Sequence, residues 1–238
     1  MIAREIPHNL KSLNLKYLNM KVIYSLVAAL FTTAVFCQPI YDLPTDYVRG
    51  QVFFSNDVTK GQNYIGSPYL NDEFEVGRVI TEEKSYPAML RYNAYFDIIE
   101  IMAGQDQNNQ LTKSKNLSVK INNSEFVLKE TPTNKEVYLQ KLVEGSKLLL
   151  WVQNTAKFND AKPAKSSYGT DKPAEFVMRK TYYIESGSEL SEISLKKKDI
   201  LPLFGDKESE MKKYLKEQKL SFSDEADVVQ MMRYFNSL

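Results

Sequence analysis

The chain has 238 residues, of which 43% are hydrophobic and 26% are charged, and its formal net charge is +1. Nine Gly and nine Pro residues are too few for a fibrous or largely disordered protein, so the composition is that of a globular chain with a core. Basic and acidic residues are nearly equal in number and interspersed, which gives no reason to expect nucleic acid as a partner.

The first segment has the order of a secretory signal peptide. Lys21 is followed by an apolar run that ends at Cys37, and Val35 and Cys37 suit the small-residue positions of a cleavage site before Gln38. The run is shorter than the roughly 20 apolar residues that span a membrane, so we expect no transmembrane span in the mature chain. A start at Met20 gives the more ordinary signal peptide, and residues 1–19 are then a mis-assigned start or an extended basic region.

Cleavage before Gln38 removes the only Cys and the only His of the chain, Cys37 and His8. Residues 38–238 can then form no disulfide, and they offer no His base, Cys nucleophile or Cys/His zinc site. We therefore predict an exported protein of the periplasm or outer membrane that is not an enzyme and binds no cofactor and no metal. Lipidation of Cys37 is the alternative, although the bulky Phe36 departs from the small residue of a lipoprotein signal.

Residues 38–62 are predicted to be a lead-in to the folded body. Pro44 biases Leu43 toward an extended conformation. Residues 48–54 fit either a first strand or a short helix, and residues 56–61 are predicted to form a polar loop.

Residues 64–103 carry the strongest strand pattern of the chain. A turn at residues 66–68 precedes apolar, strand-like runs at residues 74–80, 86–92 and 95–102. Gly77 interrupts the alternation of the first run, which predicts a bulge. The third run is apolar on both faces, so we expect cover on both sides, with the C-terminal helices as the covering elements.

Two predicted hairpins follow. The turn at residues 122–124 separates alternating runs at residues 117–121 and 126–128, and Gly145-Ser146 separates runs at residues 136–143 and 148–152. The single Trp, Trp151, lies in the returning strand of the second hairpin. A polar, Pro-containing connection at residues 159–175 is predicted to be a loop, and strand-like runs resume at residues 176–178, 181–184 and 193–195.

The pattern becomes helical after Lys196. Asp206 is the predicted N-cap of a helix at residues 207–219, and Ser223 is the predicted N-cap of a final helix. The apolar face of that final helix comprises Val228, Val229, Met232 and Phe235.

This order of elements, strands first and helices last, predicts an α+β fold that is mainly β. We expect a curved antiparallel sheet, as a sandwich or half-barrel, at residues 63–195. A C-terminal helical hairpin at residues 196–238 is expected to pack on it.

Several groups of side chains could carry chemistry, but each has a structural explanation. Two acidic groups resemble the paired carboxylates of glycoside hydrolases, although a solvated face or ion pairs with Arg78 and Arg91 explain them better. These groups are Asp72, Glu73 and Glu75, and Asp97 with Glu100. Residues 106–109 offer oxygen ligands without the spacing of a calcium loop. The lysine run at residues 196–198 is expected to be solvated surface.

Aromatic side chains at strand positions could line a carbohydrate or lipid site, but cross-strand pairing in the core is the commoner role. The residues concerned are Tyr92, Tyr95, Phe96, Tyr182 and Tyr183.

The body also contains a set of short motifs after the signal sequence. They are residues 66–70 (GSPYL), residues 90–95 (LRYNAY) with Asp97 and Glu100, residues 167–169 (SYG), residues 198–201 (KDIL) and residues 234–236 (YFN). Together these motifs resemble a family of exported, uncharacterised β-rich proteins common in the Bacteroidota. The resemblance covers most of the mature chain and implies export from a Gram-negative cell, but it implies no activity.

We therefore expect a non-enzymatic binding or structural module of the cell envelope. Its candidate ligand or surface site is the segment Arg91, Tyr92, Asn93 and Tyr95, and its partner is an envelope protein or an apolar ligand. A periplasmic carrier, with an apolar ligand in a cavity between sheet and helices, is one alternative. A carboxylate-based hydrolase is the other.

Overall fold

The computed structural model describes residues 43–51, 56–102, 108–164 and 169–238. The predicted signal peptide, Cys37, residues 38–42, Asp106 and two residues of the SYG motif lie outside these ranges. Within them, every helix is too short or too polar to cross a membrane.

The described residues contain twelve strands that form one curled sheet, a half-barrel. Their bounds are β1 Val48–Gln51, β2 Tyr64–Ile65, β3 Glu75–Ile80, β4 Ser85–Asn93, β5 Ile98–Met102, β6 Asn108–Leu111, β7 Ser118–Ile121, β8 Ser124–Glu130, β9 Glu136–Val143, β10 Leu149–Asn159, β11 Ala174–Ser186 and β12 Glu189–Ile193. The strand order is β1-β6-β5-β4-β3-β7-β8-β9-β10-β11-β12, and β2 pairs in parallel with the start of β11. The predicted α+β, mainly β fold is confirmed, and β2 adds one parallel pair to the antiparallel sheet.

The two longer helices of the described chain lie at its C-terminal end. Their bounds are α1 Asn56–Thr59, α2 Lys197–Ile200, α3 Glu208–Gln218 and α4 Glu225–Ser237, with 3-10 segments at Thr45–Tyr47 and Leu201–Lys207. The polar loop predicted at residues 56–61 is therefore partly helical. The open choice at residues 48–54 resolves to a strand as far as Gln51, and the next four residues lie outside the described ranges.

Both predicted helix caps are shifted by one residue. The residue before α3 is Lys207 and not Asp206, and its side chain makes no capping hydrogen bond. The cap of α4 is Asp224 and not Ser223, and the Asp224 carboxylate accepts hydrogen bonds from the N–H groups of Ala226 and Asp227. A carboxylate at this position satisfies two N–H groups and also interacts favourably with the helix dipole.

The hairpins predicted from turn chemistry are confirmed. β7 and β8 are joined by Asn122-Asn123, and β9 and β10 by a loop that contains Gly145-Ser146. A third hairpin joins β3 to β4 through residues 81–84. Asn122 has a φ of 50°, a left-handed conformation that Asn tolerates better than most residues.

The third strand of the opening region starts later than predicted, at Ile98 and not at Tyr95. Residues 94–97 form a turn between β4 and β5 because the Asn93 side-chain oxygen accepts hydrogen bonds from the N–H groups of Tyr95 and Phe96, both at 3.1 Å. Asp97 closes the turn with a φ of 54°. The apolar residues Tyr95 and Phe96 therefore belong to a turn and not to a strand.

Gly77 causes no bulge, because β3 keeps a regular register with β4 and β7 on both sides of it. A Cβ at this position would lie 2.4 Å from the main-chain oxygen of Lys120 and 2.8 Å from Leu90 Cδ1. The glycine is required by the close approach of the neighbouring strand.

The core contains separate clusters for the strands and for the helices. Ile99 and Ile101 of β5 belong to a cluster with buried residues of β3, β4, β7 and β8. The buried residues of α3 and α4 pack in another cluster, against Val143, Leu150 and Ile184 of β9, β10 and β11. The helices do pack on the sheet, but the prediction that they cover the β5 strand is wrong, because the curl of the sheet covers β5 with other strands.

Candidate functional site

The predicted site residues lie at the end of β4 and in the turn that follows. Successive side chains of a strand point to opposite faces, so Arg91 and Asn93 share one face while Tyr92 lies on the other. Tyr95 lies beyond the strand end, in the turn. The four residues therefore belong to three different environments.

Arg91 is enclosed by its neighbours. Its Nη2 lies 2.7 Å from Glu100 Oε2 and its Nη1 lies 2.6 Å from the main-chain oxygen of Asp72. The guanidinium carbon lies 3.6 Å from the ring centre of Tyr69 and 4.4 Å from that of Phe74. With 12% of its side chain exposed, Arg91 is held between two aromatic rings and paired with a carboxylate.

Glu100 and Asn93 complete this group. Glu100 is 1% exposed, and its second oxygen accepts a hydrogen bond of 2.9 Å from the Asn93 amide. The Asn93 oxygen is occupied by the turn N–H groups. The ion pair with Arg91, predicted as the structural explanation of Glu100, is confirmed. Arg91, Asn93 and Glu100 form most of their hydrogen bonds with one another and with the turn, which leaves little capacity for a ligand.

Tyr92 faces the interior of the half-barrel. Its hydroxyl lies 2.8 Å from Asp97 Oδ1 and 3.1 Å from the main-chain oxygen of Asn154, and it can donate to one of them at a time. Burial and the Asp97 charge raise the pKa of Tyr92, so its hydroxyl stays a donor. This contact links β4 to β10, which is separated from β4 by four strands in the sheet order.

Asp97 joins the same turn to two more elements. Its carboxylate accepts hydrogen bonds from the Tyr138 N–H at 3.1 Å and from Lys113 Nζ at 2.5 Å. Burial raises the pKa of Asp97, and the hydrogen bond and charge of Lys113 oppose that rise. The Ala156 N–H of β10 also donates to the main-chain oxygen of Ala94 at 3.0 Å. The β4–β5 turn therefore joins β4 to β10 across the half-barrel.

A small cavity opens beside Arg91 and Tyr92. It has a volume of about 170 Å³ and is bounded by residues of β4, the segment before β3 and the β7–β8 turn, including the acidic side chains of Glu73 and Glu75. Sites for small molecules usually measure about 300–1,000 Å³. The described residues contain no group of three or more side chains suited to hold a metal ion. The cavity therefore gives little support to a ligand or a hydrolytic site here.

Tyr95 belongs to a different feature, which we call the aromatic cluster. Its members are Tyr64, Tyr95, Phe96, Phe158 and Phe176, from β2, the β4–β5 turn, β10 and β11. The ring centres of successive contacts lie 4.9–6.2 Å apart: Tyr95 contacts Phe96 and Phe176, and Tyr64 contacts Phe158 and Phe176. Most of these pairs have the edge-to-face geometry that aromatic rings prefer.

The aromatic cluster is partly open to solvent. Phe176 is buried, whereas Tyr64 and Phe96 are each 41% exposed. Polar groups lie beside it in the chain: Glu175 accepts a hydrogen bond from the Asn159 amide, and Asp160 pairs with Lys60 at 2.8 Å. The hydrogen bond from Lys60 lowers the pKa of Asp160. Apolar rings with a polar border are typical of a binding surface.

Only part of this cluster can be predicted from the sequence. Tyr95 and Phe96 are among the predicted aromatic residues, but Tyr64, Phe158 and Phe176 lie in distant segments and no spacing connects them. The other predicted aromatics lie elsewhere: Tyr182 donates to Glu225 of α4 at 2.6 Å, and Tyr183 packs with Trp151. Tyr92 lies in the interior, as the core interpretation predicts.

Comparison with known proteins found no matching family model, no similar curated protein and no similar solved structure.

Proposed function

We propose that this protein is an exported, non-enzymatic binding module of the cell envelope and that it contacts its partner through the aromatic cluster. The observation that carries this proposal is the exposure of Tyr64 and Phe96 at the two ends of one chain of contacting rings. Rigid aromatic side chains lose little conformational entropy on binding and supply much of the energy of protein interfaces.

The chemistry of the described residues supports a binding role over a catalytic one. Residues 38–238 contain no His and no Cys. Of the acidic residues that resemble catalytic pairs, Glu100 is buried and bonded to Arg91 and Asn93, and Asp97 is bonded to Lys113, Tyr92 and Tyr138. Carboxylates engaged in this way are poor candidates for proton transfer to a substrate.

The alternative of an apolar-ligand carrier has less support. It requires an apolar cavity between the sheet and the helices. In the described residues α3 and α4 close against the sheet with buried side chains, among them Met211, Met231 and Phe235. A groove of about 590 Å³ lies at the edge of this interface, but the charged side chains of Glu192, Lys198 and Asp199 are part of its lining, so it is not an apolar cavity.

Site-specific photo-cross-linking tests the proposed surface. A photoreactive phenylalanine analogue is placed at position 96, or at position 76 as a matched control, because Val76 is 70% exposed but lies on β3 outside the aromatic cluster. Residues 38–238 carrying the analogue are then mixed with the envelope fraction of the source cells. We expect a cross-linked product from position 96 that is absent from position 76.

Competition makes the test specific. An excess of unlabelled protein should abolish the cross-link, and an excess of the Tyr64→Ser/Phe96→Ser variant should leave it. Equal products from positions 76 and 96, or equal competition by the variant and the original protein, would contradict the proposed surface.

Export is tested separately by mass spectrometry of the N-terminus of the protein from its native host. We expect Gln38, or pyroglutamate formed from it, as the first residue. A mature protein that begins with lipid-modified Cys37 would show that the chain is a lipoprotein and is not cleaved before Gln38.

A further inference from the structure

We propose that Tyr214 and Tyr234 form a modification site, at which a one-electron oxidant joins their rings as dityrosine and so links α3 covalently to α4. The site is separate from the aromatic cluster and does not depend on its role. It combines two stacked rings, a hydrogen bond that orients one of them, and a position at the surface that a small oxidant can reach.

The two rings lie face to face. Their centres are 3.7 Å apart and their planes differ by 12°. Among the described residues, the other two tyrosine rings in contact are those of Tyr92 and Tyr138, which meet edge to face at 6.4 Å and are buried. Tyr214 and Tyr234 are each only half-buried. Of these two pairs, the stacked one therefore brings two tyrosines closer together and also within reach of solvent.

The packing of both helices on the sheet holds the rings in place. Leu215 follows Tyr214 on α3, Phe235 follows Tyr234 on α4, and both of these neighbours are buried in the cluster between helices and sheet. The Gln230 amide, one turn before Tyr234, donates a hydrogen bond of 3.0 Å to the Tyr214 hydroxyl. The α4 helix thus contacts Tyr214 at its ring and at its oxygen, which keeps the two rings together.

The coupling removes two electrons and two protons in total. Each tyrosine gives one electron to the oxidant and its hydroxyl proton to water, and the resulting radical is delocalised over the ring. One ring carbon next to the C–O carbon of each residue then joins the other in a single carbon–carbon bond. The hydrogen on each bonded carbon moves to its phenolic oxygen, which makes both rings aromatic again. A haem peroxidase that reduces one hydrogen peroxide to two water molecules accepts these electrons and protons.

Burial protects the other side chains of this region that oxidants attack. Met211 of α3 and Met231 and Met232 of α4 are each 0% exposed. Oxidation of methionine requires the oxidant to reach its sulfur, so burial slows this reaction. Trp151 is 2% exposed and lies on the opposite face of the sheet. The stacked tyrosines are therefore an accessible oxidation site of α3 and α4.

A dityrosine bond would give the two helices a covalent tie that cysteines cannot supply in this chain. The sequence contains one Cys and therefore no intrachain disulfide. The new bond would close a loop of residues 214–234, which includes the connection between α3 and α4. A cross-link of this kind stabilises a fold by restricting the unfolded chain, as a disulfide does. We therefore expect the oxidised protein to resist unfolding better than the original.

Photo-oxidation of the dilute protein tests the site. The protein is illuminated briefly with tris(bipyridine)ruthenium and persulfate, which accepts two electrons and becomes two sulfate ions. The monomer is then isolated, digested with trypsin and analysed by mass spectrometry. Trypsin cuts after Lys213, Lys216 and Arg233, so residues 214–216 and 234–238 are separate peptides. We expect these two peptides as one cross-linked product, with the fluorescence of dityrosine and a mass two hydrogens below their sum.

Variants assign the cross-link to the stacked pair. Tyr214→Phe and Tyr234→Phe should each abolish it, and circular dichroism checks that both variants fold. The matched control is Tyr64→Phe, which removes a tyrosine that is 41% exposed but contacts the rings of Phe158 and Phe176. This control should keep the full yield. The cross-linked monomer should have a higher urea midpoint than the untreated protein, whereas the same treatment of Tyr234→Phe should not raise its midpoint.

Three results would overturn the proposal. Absence of the cross-linked product from the folded protein, or an equal yield from protein unfolded in urea, would show that the stacked geometry does not direct the oxidation. A different pair of tyrosines as the main product in the monomer would place the site elsewhere. A link between residues 214 and 234 that occurs only in dimers would show that the rings couple between two molecules and not within one.

Discussion

Arg91 and Glu100 form an ion pair of 2.7 Å in which the carboxylate is almost fully buried. Such a pair gains little net stability over an apolar pair, because both charges lose their hydration. Removing one partner is costly, since the other charge then remains buried and unpaired. Arg91 of the predicted site and its partner Glu100 are therefore expected to control stability more than binding.

We predict that Glu100→Ala lowers the free energy of unfolding by about 3–5 kcal/mol. Arg91→Lys should cost about 1–3 kcal/mol, because a lysine cannot bond Glu100 and the Asp72 oxygen in one plane or stack between Tyr69 and Phe74. Urea denaturation measures both. If Glu100→Ala costs less than 1 kcal/mol while binding to the envelope partner is lost, the pair is part of a ligand site instead.

Asp97 is expected to make the free energy of unfolding decrease as pH rises. Burial raises its pKa in the folded state above the ordinary value of 3.8, so the folded protein binds this proton more tightly than the unfolded chain does. The contribution to stability is thus present at low pH and is lost as pH rises through the raised pKa. We predict that Asp97→Asn, which keeps an oxygen acceptor, flattens this fall, measured as urea midpoints from about pH 4 to 7.

Asp160→Asn is the matched control for the Asp97 variant. The pKa of exposed Asp160 is lowered by Lys60, so its effect on stability has the opposite sign and is lost on acidification. Asp160→Asn should still lose stability as pH rises from about 4 to 7, whereas Asp97→Asn should not. Identical pH profiles for Asp97→Asn and the original protein would show that the Asp97 proton is not linked to folding.

One side chain docks the last helix onto a hairpin. The Asn236 oxygen of α4 accepts hydrogen bonds from the N–H groups of Lys147 and Leu148, and its amide donates to the Leu148 oxygen at 2.8 Å. Gly145 lies against this amide: a Cβ there would be 2.1 Å from it. The β9–β10 hairpin and α4 thus share one polar joint.

We predict that Gly145→Ala and Asn236→Ala each lower the free energy of unfolding by about 1–3 kcal/mol. The methyl group that the first variant adds displaces the Asn236 amide, and the second variant removes this amide, so both break the same hydrogen bonds. The double variant should therefore cost clearly less than the sum of the two single variants. Fully additive costs in a urea-denaturation cycle would mean that the glycine is needed for another reason.

Local chemistry explains which elements can be predicted. Asn122-Asn123 and Gly145-Ser146 identify hairpins because the turn conformation depends on the turn residues themselves. The turn after Asn93 escapes prediction because its apolar residues resemble a strand, and a single Asn side chain reverses that preference. The Arg91 segment stands out in the sequence, but its burial and the aromatic cluster depend on contacts between distant residues that no local pattern contains.

Strand β10 connects the separate apolar clusters of the described chain. Leu150 packs with the helices, and its neighbour Trp151 packs on the opposite face with Val137, Leu139 and Tyr183. Further along the same strand, Ala156 belongs to the cluster of the opening hairpins. Because one strand of 11 residues contributes to all of them, loss of any cluster is expected to loosen the others.

We predict that Met231→Ala in α4 destabilises the protein by about 2–5 kcal/mol, since Met231 is fully buried in the helix cluster. Arg233→Ala, two residues along the same helix but exposed, is the control and should change little. The single Trp, Trp151, reports on the opposite face of the sheet. Its fluorescence and the far-ultraviolet circular dichroism should therefore shift to the same lower urea midpoint in Met231→Ala. Helix loss that precedes the change in Trp151 fluorescence would show that the C-terminal helices unfold independently of the sheet on which they pack.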